Sequence, residues 1–281
     1  MGLGNREERM GRIEKKKVIT ALLIVPPIIG GIALGPSPTL GLMVLIATFL
    51  GLREYYRLCL PRSKPIERTI GVALGLIFSI LALYDKTSAI VPFFVFAFLL
   101  LALLFMVTSD SLGSSVSNFA LTFLGIFYIG FLLSHVTLIR NMTEGKIWVL
   151  FLVLTVWAGD IFALFSGVLF GRHKLYPKIS PNKTVEGLIG AILGSLLVAL
   201  LYSYFFLPFL NRWTVLPLGA GLGFFGQLGD FIESMIKRSA QVKDSGSLFP
   251  GHGGMLDRLD SFLFSAPFLH YFLSLWPKET L

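Results

Sequence analysis

The chain has a single cysteine, Cys59. One thiol excludes an internal disulfide framework and a cysteine-rich metal site. Only four histidines occur in 281 residues, and no set of them has zinc-ligand spacing. There is no GxxxxGK(S/T) phosphate loop and no protein-kinase motif set. No internal repeat and no low-complexity linker is present. What dominates instead is apolar residues, 54% of the chain, with a mean hydropathy of +0.77. A soluble protein has too little interior to hide that much apolar surface. Runs near the ~20 residues that cross a bilayer recur throughout. The fold class expected is all-α, a polytopic integral membrane protein.

Nine spans are expected, at 18–35, 38–52, 69–84, 88–107, 117–139, 147–170, 187–207, 213–236 and 258–276. Residues 1–17 form a basic start. A basic start before an apolar run resembles a signal peptide, but the many spans that follow make an uncleaved first helix simpler. Lysine and arginine test the arrangement. They gather in 1–17, 53–68, 171–186 and 237–258; only Lys86, Arg140, Lys146, Arg212 and Lys278 fall in the alternate segments. That bias places the N-terminus in the cytoplasm. It also gives the +8 net charge a topological cause, with no nucleic acid partner. The segment 108–116 should lie inside yet has no positive charge, so a broken helix is expected there.

Polar chemistry is concentrated late. His135 is the notable ionisable residue within the early spans, and a packed histidine explains it. Asp160, Asp230, Glu233, Asp257 and Asp260 lie in or beside the later ones. Residues 18–145 therefore read as a transmembrane scaffold of about five helices. Residues 146–281 read as a catalytic domain of about four helices with two charged loops. An aspartate at a membrane centre costs about 2.5–3.5 kcal/mol on insertion scales, so these should face the protein interior with partners. At 100° per residue, Gly219, Gly223, Gly226, Asp230, Glu233 and Lys237 share a sector of about 80°. The glycines admit a close neighbour, and the carboxylates point at it. Asp257 and Asp260, three apart, share a face of the last helix. Their place in its first turn also fits capping. Hard oxygen ligands of this kind favour Mg2+, with a second cation left open.

The loops 171–186 and 237–258 mix cations (Lys183, Lys237, Arg238, Lys243 and Arg258 among them) with Ser180, Thr184, Gly253 and Gly254. Glycines let backbone N–H groups approach an anion, and cations neutralise it. Carboxylates for metal beside cations for phosphate point to phosphoryl or nucleotidyl transfer on a membrane substrate. A cation transporter using Asp160 and Asp230 is the alternative of another class. Against it, the charges lie in basic loops at one face and line no path across.

The stretch from Ser234 to Asp260 resembles the signature of the phosphatidate cytidylyltransferase (CDP-diacylglycerol synthase) family. Ser234, Lys237, Arg238, Lys243, Asp244, Gly246, Phe249, Pro250, His252, Gly253, Gly254, Asp257, Arg258 and Asp260 match it without a gap. Asp160 with FGRHKLYPKISPNKTVEG is similar to the family's upstream block. The IFAL at Ile161–Leu164 departs from the family's Ala-Tyr there. The resemblance covers 146–281; the earlier half is similar only in being apolar spans. It implies that CTP and phosphatidic acid react to give CDP-diacylglycerol and pyrophosphate. It further implies a cytoplasmic (inner) membrane setting with the site at the cytoplasmic face; a homodimer is left open. On this reading Asp230, Asp257 and Asp260 bind Mg2+. Lys237, Arg238, Lys243 and Arg258 neutralise phosphates. Ser180, Lys183 and Thr184 help hold them, and His252, Gly253 and Gly254 shape the nucleotide loop. Asp160, Glu186 and Asp244 are further substrate-binding candidates. CDP-alcohol phosphotransferases are set aside, because their downstream Asp-x3-Asp is missing. A CTP-dependent lipid kinase is the nearest alternative in chemistry.

Overall fold

A computed structural model describes residues 25–108, 112–249 and 253–276. The basic start, residues 18–24 of the first expected span, residues 109–111 of the break expected over 108–116, and His252 lie outside the described residues. Helix α1 is seen over 25–33. It is followed by α2 (Ser37–Cys59), α3 (Pro65–Leu83), α4 (Ile90–Thr108), α5 (Leu112–Gly125), α6 (Leu132–Asn141), α7 (Gly145–Phe170), α8 (Val185–Phe206), α9 (Arg212–Ser239) and α10 (Leu256–Leu275). A π-helical segment, Ile126–Phe131, joins α5 to α6, so 113–141 runs as one apolar rod. The structure is that of an all-α membrane protein. Among the described residues six helices are long and apolar enough to cross a membrane, and the count of nine is not reached. Neither α2 nor α10 is among the six; each carries charge at one end.

Two segments differ from expectation. The expected span 38–52 ends before Arg53, Glu54 and Arg57, yet α2 continues through them to Cys59. The cause is burial on one face: Leu52, Tyr55 and Tyr56 are each at most 1% exposed at helical spacing. The Tyr55 and Tyr56 hydroxyls donate to the Leu121 and Thr122 carbonyls at 3.2 and 2.8 Å, fastening α2 to α5. The second difference is the loop 171–186, which folds as a hairpin. Strands β1 (Lys174–Tyr176) and β2 (Ser180–Thr184) pair antiparallel, with Lys174 opposite Thr184.

Lipid tails are as apolar as leucine, so helices in a bilayer associate through close packing and polar contacts. Helices α7, α8, α9 and α10 pack in succession, and α6 and α2 close against α10. A Cβ at Gly223 of α9 would come 2.9 Å from the Ala191 carbonyl of α8. The glycine stripe thus serves the close approach its spacing predicts. One core links α2, α6 and α7 through α10. A smaller one, built on Phe78, Leu101 and Phe105, joins α3 and α4. His135 is fully buried, its Nδ1 within 3.2 Å of the Phe131 and Leu132 carbonyls. It is a packed histidine, as its position suggested.

Candidate active site

Two helices bring three carboxylates together. Asp230 and Glu233 lie on one face of α9, three residues apart. Asp260 is in the second turn of α10, and one oxygen from each of these carboxylates lies within 4.8 Å of the others. Three bare carboxylates at that distance repel by about 3.5 kcal/mol per pair at an effective dielectric of about 20. Cations must offset this. Lys183 from β2 places Nζ 2.8 Å from Asp230 Oδ2, and its ammonium lies 5.2 Å from the centre of the Phe231 ring. Lys237, one turn after Glu233, forms an ion pair with it. Glu233 has no solvent exposure, and its Oε1 accepts no hydrogen bond from the described residues. Two ammonium groups against three carboxylates leave an excess negative charge, and the set ends on an orphaned buried oxygen.

These groups fit a hard divalent ion. Mg2+ holds oxygen at about 2.0–2.1 Å, so opposite ligands stand about 4.2 Å apart. Adjacent ligands stand about 2.9 Å apart, so the three oxygens, now within 4.8 Å of one another, draw together by up to about 2 Å to share one ion.

Asp257 stands beside this group with its oxygens already engaged. Oδ1 accepts from Lys237 Nζ at 2.7 Å. Oδ2 accepts from the Gly254 N–H at 2.7 Å and the Ser245 N–H at 2.9 Å, and the Ser245 hydroxyl is 2.8 Å away. Burial opposes the charged form of Asp257. The Lys237 ammonium and the backbone donors outweigh it and hold the carboxyl below the usual carboxylate range. This is the capping arrangement that a first-turn aspartate can make. Gly253 has φ +78°, a conformation glycine adopts freely. The Phe249 N–H donates to its carbonyl at 2.9 Å.

Other expected residues fall in several places. Asp160 of α7 accepts from Gln227 Nε2 at 3.0 Å, and the Ser261 hydroxyl is 3.4 Å from it. Thr184 caps α8, its hydroxyl accepting from the Gly187 N–H at 3.1 Å. Glu186 pairs with His173 at 2.7 Å. Arg238 donates to the Ile179 and Val242 carbonyls at 3.2 and 3.0 Å and braces the hairpin against the end of α9. Lys243 and Asp244 are exposed, and among the described residues no ion pair joins them.

A cavity of about 1180 Å³ opens over the site. Its polar end is lined by Asp160, Ser180, Lys183, Thr184, Asp230, Asp257, Arg258 and Asp260. Its other end runs between α1, α2, α6 and α7 and is lined by Ile28, Ile32, Met43, Val44, Val136 and Val153. One continuous space is therefore ionic at one end and apolar at the other.

A family model described as the cytidylyltransferase family matches residues 15–276. The chain belongs to the cytidylyltransferase family. Similarity to curated relatives agrees. Proteins named phosphatidate cytidylyltransferase from Staphylococcus epidermidis and Staphylococcus aureus are 43% and 42% identical over 178 residues, 62% of this chain and 68% of theirs. One from Staphylococcus saprophyticus is 44% identical over 159 residues, 57% of this chain and 60% of its own. The family match thus extends well before residue 146 into the apolar half.

Of the carboxylates expected to bind metal, Asp230 and Asp260 come together, and Glu233 joins them. Glu233 was visible on the Asp230 face but was not named as a ligand; its three-residue spacing was the signal. Gln227 and Ser261, which hold Asp160, gave no such signal. Glu54 gave none either, standing between two arginines in an apparent surface run.

Proposed function

We propose that the chain is a phosphatidate cytidylyltransferase, converting CTP and phosphatidate to CDP-diacylglycerol and pyrophosphate. The observation that carries this is the cavity, whose ionic end meets an apolar slot between helices. A phosphatidate molecule has that same division, a phosphate on two acyl chains. The family membership and the names of the relatives support the substrate pair.

In this reading an oxygen of the lipid phosphate attacks the α-phosphorus of CTP. The bond to the β-phosphate breaks, and pyrophosphate leaves. The nucleophile is already anionic and needs no strong general base. Repulsion among phosphates is the obstacle, and fixed positive charge removes it. Lys183 and Arg258 line the mouth of the cavity and take this role, with Ser180 as a hydroxyl donor. Lys243 is exposed in the loop between α9 and α10 and meets the outer phosphates of CTP. Lys237 holds Glu233 and Asp257 in place. Asp230 and Asp260, with Glu233 behind them, would hold Mg2+. A bound Mg2+ supplies charge neutralisation between the two substrates. Asp257 then anchors Lys237 and the Ser245 loop to the start of α10. The polar end faces the cytoplasm, where CTP is found, a placement the lysine and arginine bias supports.

The test is pyrophosphate release by purified protein given CTP, phosphatidate and Mg2+. CTP labelled at the α-phosphate should pass label to lipid. Transfer of γ label in its place would mark a lipid kinase and overturn the reading.

A further inference from the structure

Helix α10 begins without a side-chain cap from its N-cap residue. Met255, its N-cap, makes no side-chain hydrogen bond to the first turn. The first N–H groups of a helix have no partner within it and need one elsewhere. Here the partner comes from α2, about two hundred residues earlier. Glu54 Oε1 accepts from the Met255 N–H at 2.9 Å, and Oε2 from the Leu256 N–H at 2.9 Å. The Ser245 hydroxyl lies 3.0 Å from Glu54 Oε2 and 2.8 Å from Asp257 Oδ2, and serves either with its one proton. The carboxylate also sits at the positive end of α10, where negative charge is favoured.

The surroundings are shaped around this side chain. A Cβ at Gly246 would come 2.6 Å from Glu54 Oε1, and one at Gly254 2.3 Å from Oε2. Two loop glycines thus leave the room that Glu54 occupies. On its other side α2 is anchored by the tyrosines next in sequence, through the α5 carbonyls.

We propose that Glu54 is a positioning residue for the cytidylyltransfer site. It ties the Ser245 loop and the first turn of α10 to the scaffold, and so sets where Asp257 and Asp260 stand. The apolar half then contributes a polar group to the reaction as well as lipid-facing surface. The inference rests on the reading given under Proposed function.

Glu54→Gln is the direct probe, since it keeps the shape but turns an NH2 group toward a backbone N–H or the serine hydroxyl. Full-length parent and variant are compared in three ways. In hydrogen–deuterium exchange, the Met255 and Leu256 amides should exchange at least tenfold faster in the variant. In turnover, kcat should fall at least tenfold, and the Mg2+ concentration for half-maximal rate should rise at least threefold. In thermal unfolding, the midpoint should stay near the parent's. Glu54→Asp keeps the charge one methylene short and should recover part of both turnover and protection. If Glu54→Gln is too unstable to purify, Glu54→Asp is read alone, and it must show faster exchange at the same two amides. Unchanged exchange there overturns the proposal, as does a kcat within twofold of the parent. Loss of activity in step with loss of folding, with the Mg2+ requirement unmoved, assigns Glu54 a purely structural role and also overturns it. A parent that releases no pyrophosphate would sink the substrate assignment alone, and the exchange comparison would still decide Glu54.

Discussion

Replacing Lys237 with methionine keeps the apolar stem and removes an ammonium that two carboxylates share. Lys237 Nζ touches Glu233 and lies 2.7 Å from Asp257 Oδ1; the two acidic side chains are 0% and 6% exposed. Without that cation they face each other with little water to separate them. Removing one partner of a buried ion pair costs about 3–5 kcal/mol. For a chain of this size each kcal/mol moves the unfolding midpoint by about 2–4 °C, so a fall of about 6–20 °C is expected. The assay is thermal unfolding of purified protein in chelator, so that no divalent ion stands in for the lost ammonium. Glu233→Gln in the same background removes one of the stranded charges. The double variant should regain more than 1 kcal/mol over the additive sum, as residues in one network do. A midpoint within about 2 °C of the parent for Lys237→Met, or strict additivity in the double variant, would show that this ammonium does not hold the cluster together.

Three further outcomes follow from the same geometry. Asp230→Asn should lower turnover at least a hundredfold, about 2.7 kcal/mol of transition-state stabilisation, and raise the Mg2+ requirement; steady-state rates across a Mg2+ titration check it. Met43→Trp, at the apolar end of the cavity, should raise KM for long-chain phosphatidate with little change in KM for CTP. Equal effects on both substrates would place the acyl chains elsewhere. Gly223→Val sets a side chain against the Ala191 carbonyl and should cost about 1–3 kcal/mol by overpacking, read as lower thermal stability.

Much of this was legible because helical periodicity is local. The face running from Gly219 to Lys237 could be read from spacing alone, and it is where α8 and α10 pack and where Asp230 and Glu233 meet Asp260. Capping was an open alternative for Asp257, and its bonds to Gly254 and Ser245 take that form. Contacts between distant segments left no local trace. Glu54 looked like one charge in a solvated run, because its partners are two backbone N–H groups and a serine on another element. The length of α2 was missed for a related reason. Arg53 and Arg57 ended the hydrophobic run, while Tyr55 and Tyr56 carried the buried face onward. The β-hairpin escaped notice because KLYPKISPNKT shows charge and proline more strongly than strand alternation.

One ion at the junction of water and lipid is central to the proposed chemistry. Diffraction from protein soaked with Mn2+ and CTP locates it through anomalous scattering. The prediction is a peak within about 2.5 Å of oxygens from both Asp230 and Asp260, at the ionic mouth of the cavity. A bound Mn2+ that touches neither carboxylate, with nucleotide in place, would contradict it.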